Sequence, residues 1–196
     1  MCRNVGPRRI VGRLAVSAFF CLGFWQFGQG AYIPAKAWVA QELMQRAWQK
    51  TASGRQQAVP WPWADTWPVA RLSAKRGAVD LIVLEGGSGR TLAFGPGHLS
   101  VSVLPGEPGN SIIAGHRDTH FRFLQNLQLG ETITVALPDG REHQYAVTNI
   151  DVVDSTRGSL VLDTATPTMT LVTCYPFDAR RAGGPLRYVV SASLLF

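Results

Sequence analysis

The sequence predicts a mainly β domain, a barrel or a sandwich, preceded by an N-terminal segment of different character. From residue 69 onward, short β-branched and apolar runs recur at 69–72, 81–84, 91–94, 111–114, 132–137, 145–153, 168–173 and 186–195. Turn signals separate them, namely Gly86-Gly87, Pro105-Gly106, Pro108-Gly109-Asn110 and Pro138-Asp139-Gly140. Helical patterning in this part is confined to a short stretch at 121–127, before Gly130. Many short strands with few helices belong to a closed or face-packed sheet. There is no internal repeat and no low-complexity tract.

With 196 residues, one domain is the default, and enough chain remains behind the N-terminal segment to bury a proper core. The formal charge of +6 invites a nucleic-acid reading. However, Arg3, Arg8, Arg9 and Arg13 supply much of it and directly precede an apolar run. No basic stripe with interleaved aromatics follows, so nucleic acid is not an expected partner.

The N-terminal elements follow in order. Residues 1–13 read as a basic cytoplasmic tail. Residues 14–33 carry no charge and are long enough to cross a bilayer as a helix, with Trp25 and Tyr32 suited to the interface. The preceding arginines predict a cytoplasmic N-terminus and an exported remainder. A cleaved leader ending at Ala35-Lys36-Ala37 is the rival, weakened by Pro34 and by the distance from the apolar centre. Residues 34–68 read as helix, linker and strap. Trp38, Leu43 or Met44, and Trp48 recur near helical spacing, with Glu42 and Arg46 four apart, so 35–50 is a helix that packs on the domain or at a membrane surface, or presents a dimer face. Residues 51–58 are a polar linker. Alternating Pro and Trp at 60–68 predict an extended strap with indoles buried on the domain, a recognition platform or a flap.

The chemistry concentrates at the C-terminus. Of three cysteines, Cys2 and Cys21 lie in the N-terminal segment, which leaves Cys174 alone in the β domain. No Cys-x-x-Cys is present, so a zinc ribbon or thioredoxin-like site has no support. Cys174 ends an apolar run stopped by Tyr175-Pro176, and Arg187 opens the next run. If these two strands pair, thiol and guanidinium face one mouth of the sheet. The cation then favours thiolate and can hold a developing oxyanion. The bland alternatives are a buried apolar thiol and an Arg paired with a carboxylate. A base is still needed, and Gly115-His116-Arg117 lies upstream.

These words carry a resemblance. Thr170-Leu171-Val172-Thr173-Cys174 matches the TLxTC signature of sortases, Ala114-Gly115-His116-Arg117-Asp118 matches their His motif, and Arg187, thirteen residues after the cysteine, matches their catalytic Arg strand. From about residue 65 to the C-terminus the chain resembles a sortase, and its flanking words resemble the Gram-negative, marine proteobacterial group. The resemblance implies a closed eight-stranded β-barrel at 69–196 behind an N-terminal transmembrane helix at the inner membrane, with the barrel in the periplasm. It implies a cysteine transpeptidase that cleaves a C-terminal LPxTG-like sorting motif and passes the substrate protein to an amine acceptor, with one dedicated partner protein and no cofactor.

In that scheme Cys174 is the nucleophile. His116 is the acid that protonates the leaving amine, then the base for the incoming one, and Arg187 holds the oxyanion and substrate backbone. Thr173 helps the oxyanion site through its backbone or hydroxyl. Asp118 orients His116 or, preferably, caps the following loop, and His120 stands beside them. His116 and His120 lack the Glu of a zinc-protease helix, so zinc is set aside. Asp151, Asp154, Asp163 and Glu107 match no calcium loop and read as surface. His98 and His143 receive no role. A cysteine hydrolase using the same residues and a non-catalytic binding module are the rivals.

Overall fold

The computed structural model describes residues 7–54, 57–158, 161–162, 164–179 and 183–195. Residues 1–6 of the basic tail and Asp163 lie outside them. By internal contacts the chain divides into two units, Met1–Gln41 and Glu42–Phe196.

Helix α1 runs Pro7–Ala52 without a break and carries Pro34 inside it. The sequence separates this stretch into two segments at Pro34. The structure carries the helix through Pro34 into the Ala- and Gln-rich stretch that follows, whose residues favour helix. In the first unit Val16, Phe19, Phe20, Leu22, Phe24 and Trp25 are all exposed. The expected transmembrane span at 14–33 is not shown. Among the described residues no helix is long and apolar enough to cross a membrane. The second half of that stretch is diluted by Gln26, Gly28, Gln29 and Gly30.

In the second unit eight strands close a barrel. They are β1 (Pro68–Ala74), β2 (Val79–Glu85), β3 (Gly97–His98), β4 (Asn110–Ala114), β5 (Thr132–Ala136), β6 (Glu142–Asp154), β7 (Thr168–Cys174) and β8 (Leu186–Leu194). Their order around the barrel is β1-β2-β3-β4-β7-β8-β6-β5, with β5 returning to β1. The β2–β3 and β4–β7 pairs are parallel and the rest antiparallel. Alternation decides what faces inward. Leu72, Val83, Ile113, Ile133, Val135, Tyr145, Met169, Leu171 and Val190 fill the interior and are fully buried. At about 25 cal/mol per Å² of apolar surface removed from water, this cluster is the main source of the barrel's stability.

A second cluster lies outside the barrel wall. Met44 and Trp48 from the last turns of α1 pack on Ile82 and Leu84, with Trp61 and Phe94 at the edge. This explains why β2 is buried at three successive positions. Val83 points into the barrel, while its neighbours point at the helix. Of the three predicted roles for the 35–50 helix, packing on the domain holds for Met44 and Trp48, whereas Trp38 is exposed. The ion pair between Glu42 and Arg46 forms at 2.9 Å on the exposed face.

Two local expectations are corrected. Residues 91–94 are not a strand. Ser88 accepts a bond from the Thr91 N–H and caps a single turn, α2 (Gly89–Leu92). The third strand is instead the two-residue β3. There Gly97 is required, because a Cβ would come 2.1 Å from the Gly86 carbonyl oxygen. The Pro/Trp strap is also not fully extended. Ala64 N–H bonds the Trp61 carbonyl in a turn, so Trp61 reaches Phe94 edge-on at 4.8 Å while Trp63 stays 82% exposed. The predicted helix at 121–127 is present as a 3₁₀ helix, Arg122–Asn126.

Candidate active site

The site is built by the ends of three adjacent strands, β4, β7 and β8. Cys174 and Arg187 are direct cross-strand partners in the antiparallel β7–β8 pair. Directly opposed residues project to one face of a sheet. Met169 and Leu171 of β7 and Val190 and Ala192 of β8 occupy the interior. By alternation Cys174 and Arg187 therefore project to the outer face of the barrel rim, not into its mouth. The structure meets the pairing that the sequence reading required and adds the side of the wall.

The parallel β4–β7 pair delivers the histidine. Ala114 is registered with Val172. Two residues on from each lie His116 and Cys174. The Gly115 N–H donates to the Val172 carbonyl at 3.1 Å, and the Thr173 hydroxyl donates to the Gly115 carbonyl at 2.7 Å. Thr173 is buried, so its hydroxyl is a structural clamp between the Cys strand and the His turn. It is not available to an oxyanion, which corrects the hydroxyl half of its expected role. Gly115 is fixed from the other side as well, since a Cβ there would meet the buried Phe121 ring at 2.8 Å. The Phe121 N–H then closes the turn on the His116 carbonyl at 2.9 Å.

Cys174 is a free, half-buried thiol and His116 is exposed. Among the described residues their side chains make no hydrogen bond to each other, as is common before substrate tightens a site. Arg187 donates through Nη1 to the carbonyls of Gly184 at 2.7 Å and Leu186 at 2.9 Å. Among the described residues it pairs with no carboxylate, so the salt-bridge alternative does not hold. One edge of its guanidinium is spent on orientation, which leaves the other N–H groups for a ligand.

Asp118 does not cap the loop, since its carboxylate accepts no hydrogen bond among the described residues. It acts on His120 through charge. Burial pushes the His120 pKa down, the nearby His116 pushes it further, and Asp118 opposes both. Among the described residues no group of three or more His, Cys, Asp or Glu is gathered as a metal site would need. His98 is a buried structural residue, with Nδ1 at 3.3 Å from Glu85 Oε2 and Nε2 at 2.9 Å from the Val103 carbonyl.

Two features escape the sequence reading. The Arg117 guanidinium donates to the Ala179 carbonyl at 2.8 Å, tying the turn after His116 to the turn after Cys174. Tyr175, Phe177 and Tyr188 form an aromatic cluster with centroids 5.1–6.3 Å apart. Burial, then the neighbouring Tyr175, raises the Tyr188 phenol pKa. The words GHRD and TCYPF hold Arg117, Tyr175 and Phe177, but nothing in them states that the two loops meet.

Comparison with known proteins agrees with this geometry. A family model for the sortase domain matches residues 72–195. The chain belongs to the sortase family. It is 33% identical over 112 residues to Sortase D of Bacillus subtilis (strain 168), a match covering 57% of this chain and 56% of the relative. The aligned part thus spans about half the length of that curated relative. Among solved structures, this sortase superposes on a Sortase D5 transpeptidase of Clostridium perfringens with a TM-score of 0.65 at 24% identity, over 81% of this chain and 99% of the other. It also superposes on sortase C-1 of Actinomyces oris with a TM-score of 0.58 at 30% identity, over 66% and 73%. Sortase A of Corynebacterium diphtheriae shares the fold at 22% identity and a TM-score of 0.61, over 80% and 84%. The closed eight-stranded barrel is therefore the sortase fold.

Proposed function

We propose that this chain is a membrane-anchored cysteine transpeptidase that cuts an LPxTG-like sorting motif and transfers the upstream protein to an amine. The observation that carries the reading is the register of three strand ends. Cys174 lies opposite Arg187, and the His116 turn is pinned to the Cys strand by Thr173.

The chemistry follows from those residues. The Cys174 thiolate attacks the scissile carbonyl, and the Arg187 guanidinium faces the oxygen on which charge develops. As the C–N bond breaks, the His116 imidazolium gives its proton to the leaving amine. The thioacyl-enzyme is then attacked by a second amine, whose proton passes to His116 while the electron pair returns to sulfur. One amide exchange becomes two acyl transfers.

For the N-terminal unit, we assign residues 14–33 to the inner membrane, with the barrel in the periplasm. The support is the set of exposed Val16, Phe19, Phe20, Leu22, Phe24 and Trp25, together with the preceding arginines. The flanking motifs support placement in the Gram-negative sortase group, where a single dedicated partner protein is the expected substrate.

Intact mass tests the activity. Incubation with LPxTG-type peptides should give an acyl adduct on the wild type and none on Cys174→Ala, released by hydroxylamine as the hydroxamate. Release only as free acid with every amine would make the protein a hydrolase. An unreactive Cys174 with no adduct would make it a binding module.

A further inference from the structure

A pocket of about 560 Å³ lies between the turn that follows His116 and the turn that follows Cys174. Its lining includes Arg117 and Asp118 from the first turn, Arg122 from the 3₁₀ helix that follows it, and Tyr175, Phe177 and Asp178 from the second turn. The Arg117 guanidinium is engaged on the Ala179 carbonyl and fixes the separation of the two turns. Asp118, Arg122 and Asp178 are different. Although they line one pocket, they form no ion pair among the described residues. All three are exposed, so charges of both signs stand beside an aromatic wall with none of them spent on an ion pair among the described residues.

The position of this pocket assigns it to one side of the reaction. His116 must reach the amine that leaves and the amine that arrives, so both stand on the His116 side of the thioacyl carbonyl. Arg187 stands across the Cys strand, on β8. The pocket opens one residue beyond both His116 and Cys174, on the amine side.

We propose that this pocket is the acceptor subsite and that it selects a zwitterionic primary amine, one carrying a carboxylate close to the amino group. This rests on the transpeptidase reading above. Asp178 and Asp118 hold the ammonium, Arg122 holds the carboxylate, and Tyr175 and Phe177 exclude water from the apolar part between them. The bound ammonium gives one proton to solvent to become nucleophilic. Its nitrogen then bonds the acyl carbon, the C–S bond breaks with its electron pair returning to Cys174, and the second proton passes to His116.

The test uses the full chain, an LPxTG peptide that forms the thioacyl-enzyme, and L-alanine or L-alaninamide as the resolving amine. The two differ only in the carboxylate, and ratios are referred to the wild type so that intrinsic basicities cancel. Arg122→Gln should lower capture by alanine relative to alaninamide about tenfold, and Arg122→Lys should restore part of it. Asp178→Asn should lower capture by both amines relative to hydrolysis by about the same factor. Cys174 alkylation rates and thermal melts identify any variant that has lost its fold. Ratios within about twofold of wild type in both Arg122→Gln and Asp178→Asn, with the thioacyl-enzyme still forming, would overturn the proposal. So would an Arg122→Gln defect equal for the two amines. A wild-type thioacyl-enzyme that every amine leaves to water would instead sink the transfer reading, and this inference with it.

Discussion

Arg187 shows how much one side chain can be asked to do when its donors are divided. Two carbonyls hold Nη1, so the fork is oriented before any substrate arrives. Lysine keeps the charge but has no second edge to present. Arg187→Lys should therefore lose about 10²–10³ in kcat, the usual cost of an oxyanion donor. Near-normal turnover in a peptide-cleavage assay would refute the role. His120 carries a second prediction. Burial, reinforced by His116, holds its pKa below the ordinary histidine value of about 6.5. The unfolded chain therefore binds a proton there more readily than the folded one. This contribution to stability is fully present above the unfolded value and is lost as pH falls below it. Thermal melts from about pH 8 to 5 should show a wild-type decline that His120→Gln flattens.

At the scale of elements, the catalytic geometry depends on where strands end. The His116 turn is clamped between Thr173 on one side and Phe121 on the other. Gly115→Ala would drive a Cβ into the buried Phe121 ring and push the turn away from the Cys strand. A displacement of about 1 Å is enough to cost on the order of 10² in rate. Overpacking should also cost about 1–3 kcal/mol of stability. Phe121→Leu in the same chain should recover part of both, as read by turnover and by urea unfolding. Seven of the predicted strands coincide with observed ones because apolar runs bounded by Gly and Pro specify them locally. The exception at 91–94 has a local cause as well. Ser88 offers its hydroxyl to Thr91, and one helical turn satisfies more backbone groups there than an unpaired extended run.

At the scale of the whole molecule, α1 serves the two units differently. Residues to Gln41 belong to the first unit, while Met44 and Trp48 complete the barrel's outer wall over Ile82 and Leu84. Removing residues 1–41 should leave the thermal midpoint of the barrel nearly unchanged. Removing 1–52 uncovers two large apolar side chains, each worth about 1.5–3 kcal/mol when buried. For a domain of this size the midpoint should then fall by roughly 5–15 °C. Equal midpoints for the two truncations would show that the helix contact carries no stability.

The sequence alone determined the β class, seven of the eight strands and the short helix before Gly130, and its motif words named the candidates for the site. Each is a local property of side-chain pattern, turn residues or motif words. It left the pairing of β7 with β8 as a condition, which the structure meets with Cys174 opposite Arg187. Only the tertiary structure decided that Cys174 and Arg187 stand on the outer rim, because a strand's two faces differ only by what packs against them. Nor did the motif words reveal that Thr173 is spent on the Gly115 carbonyl, that Asp118 caps nothing, or that Arg117 ties two turns across the site. Those contacts join residues about sixty positions apart. They exist because β4 and β7 run parallel and end together, which no local pattern in either strand encodes.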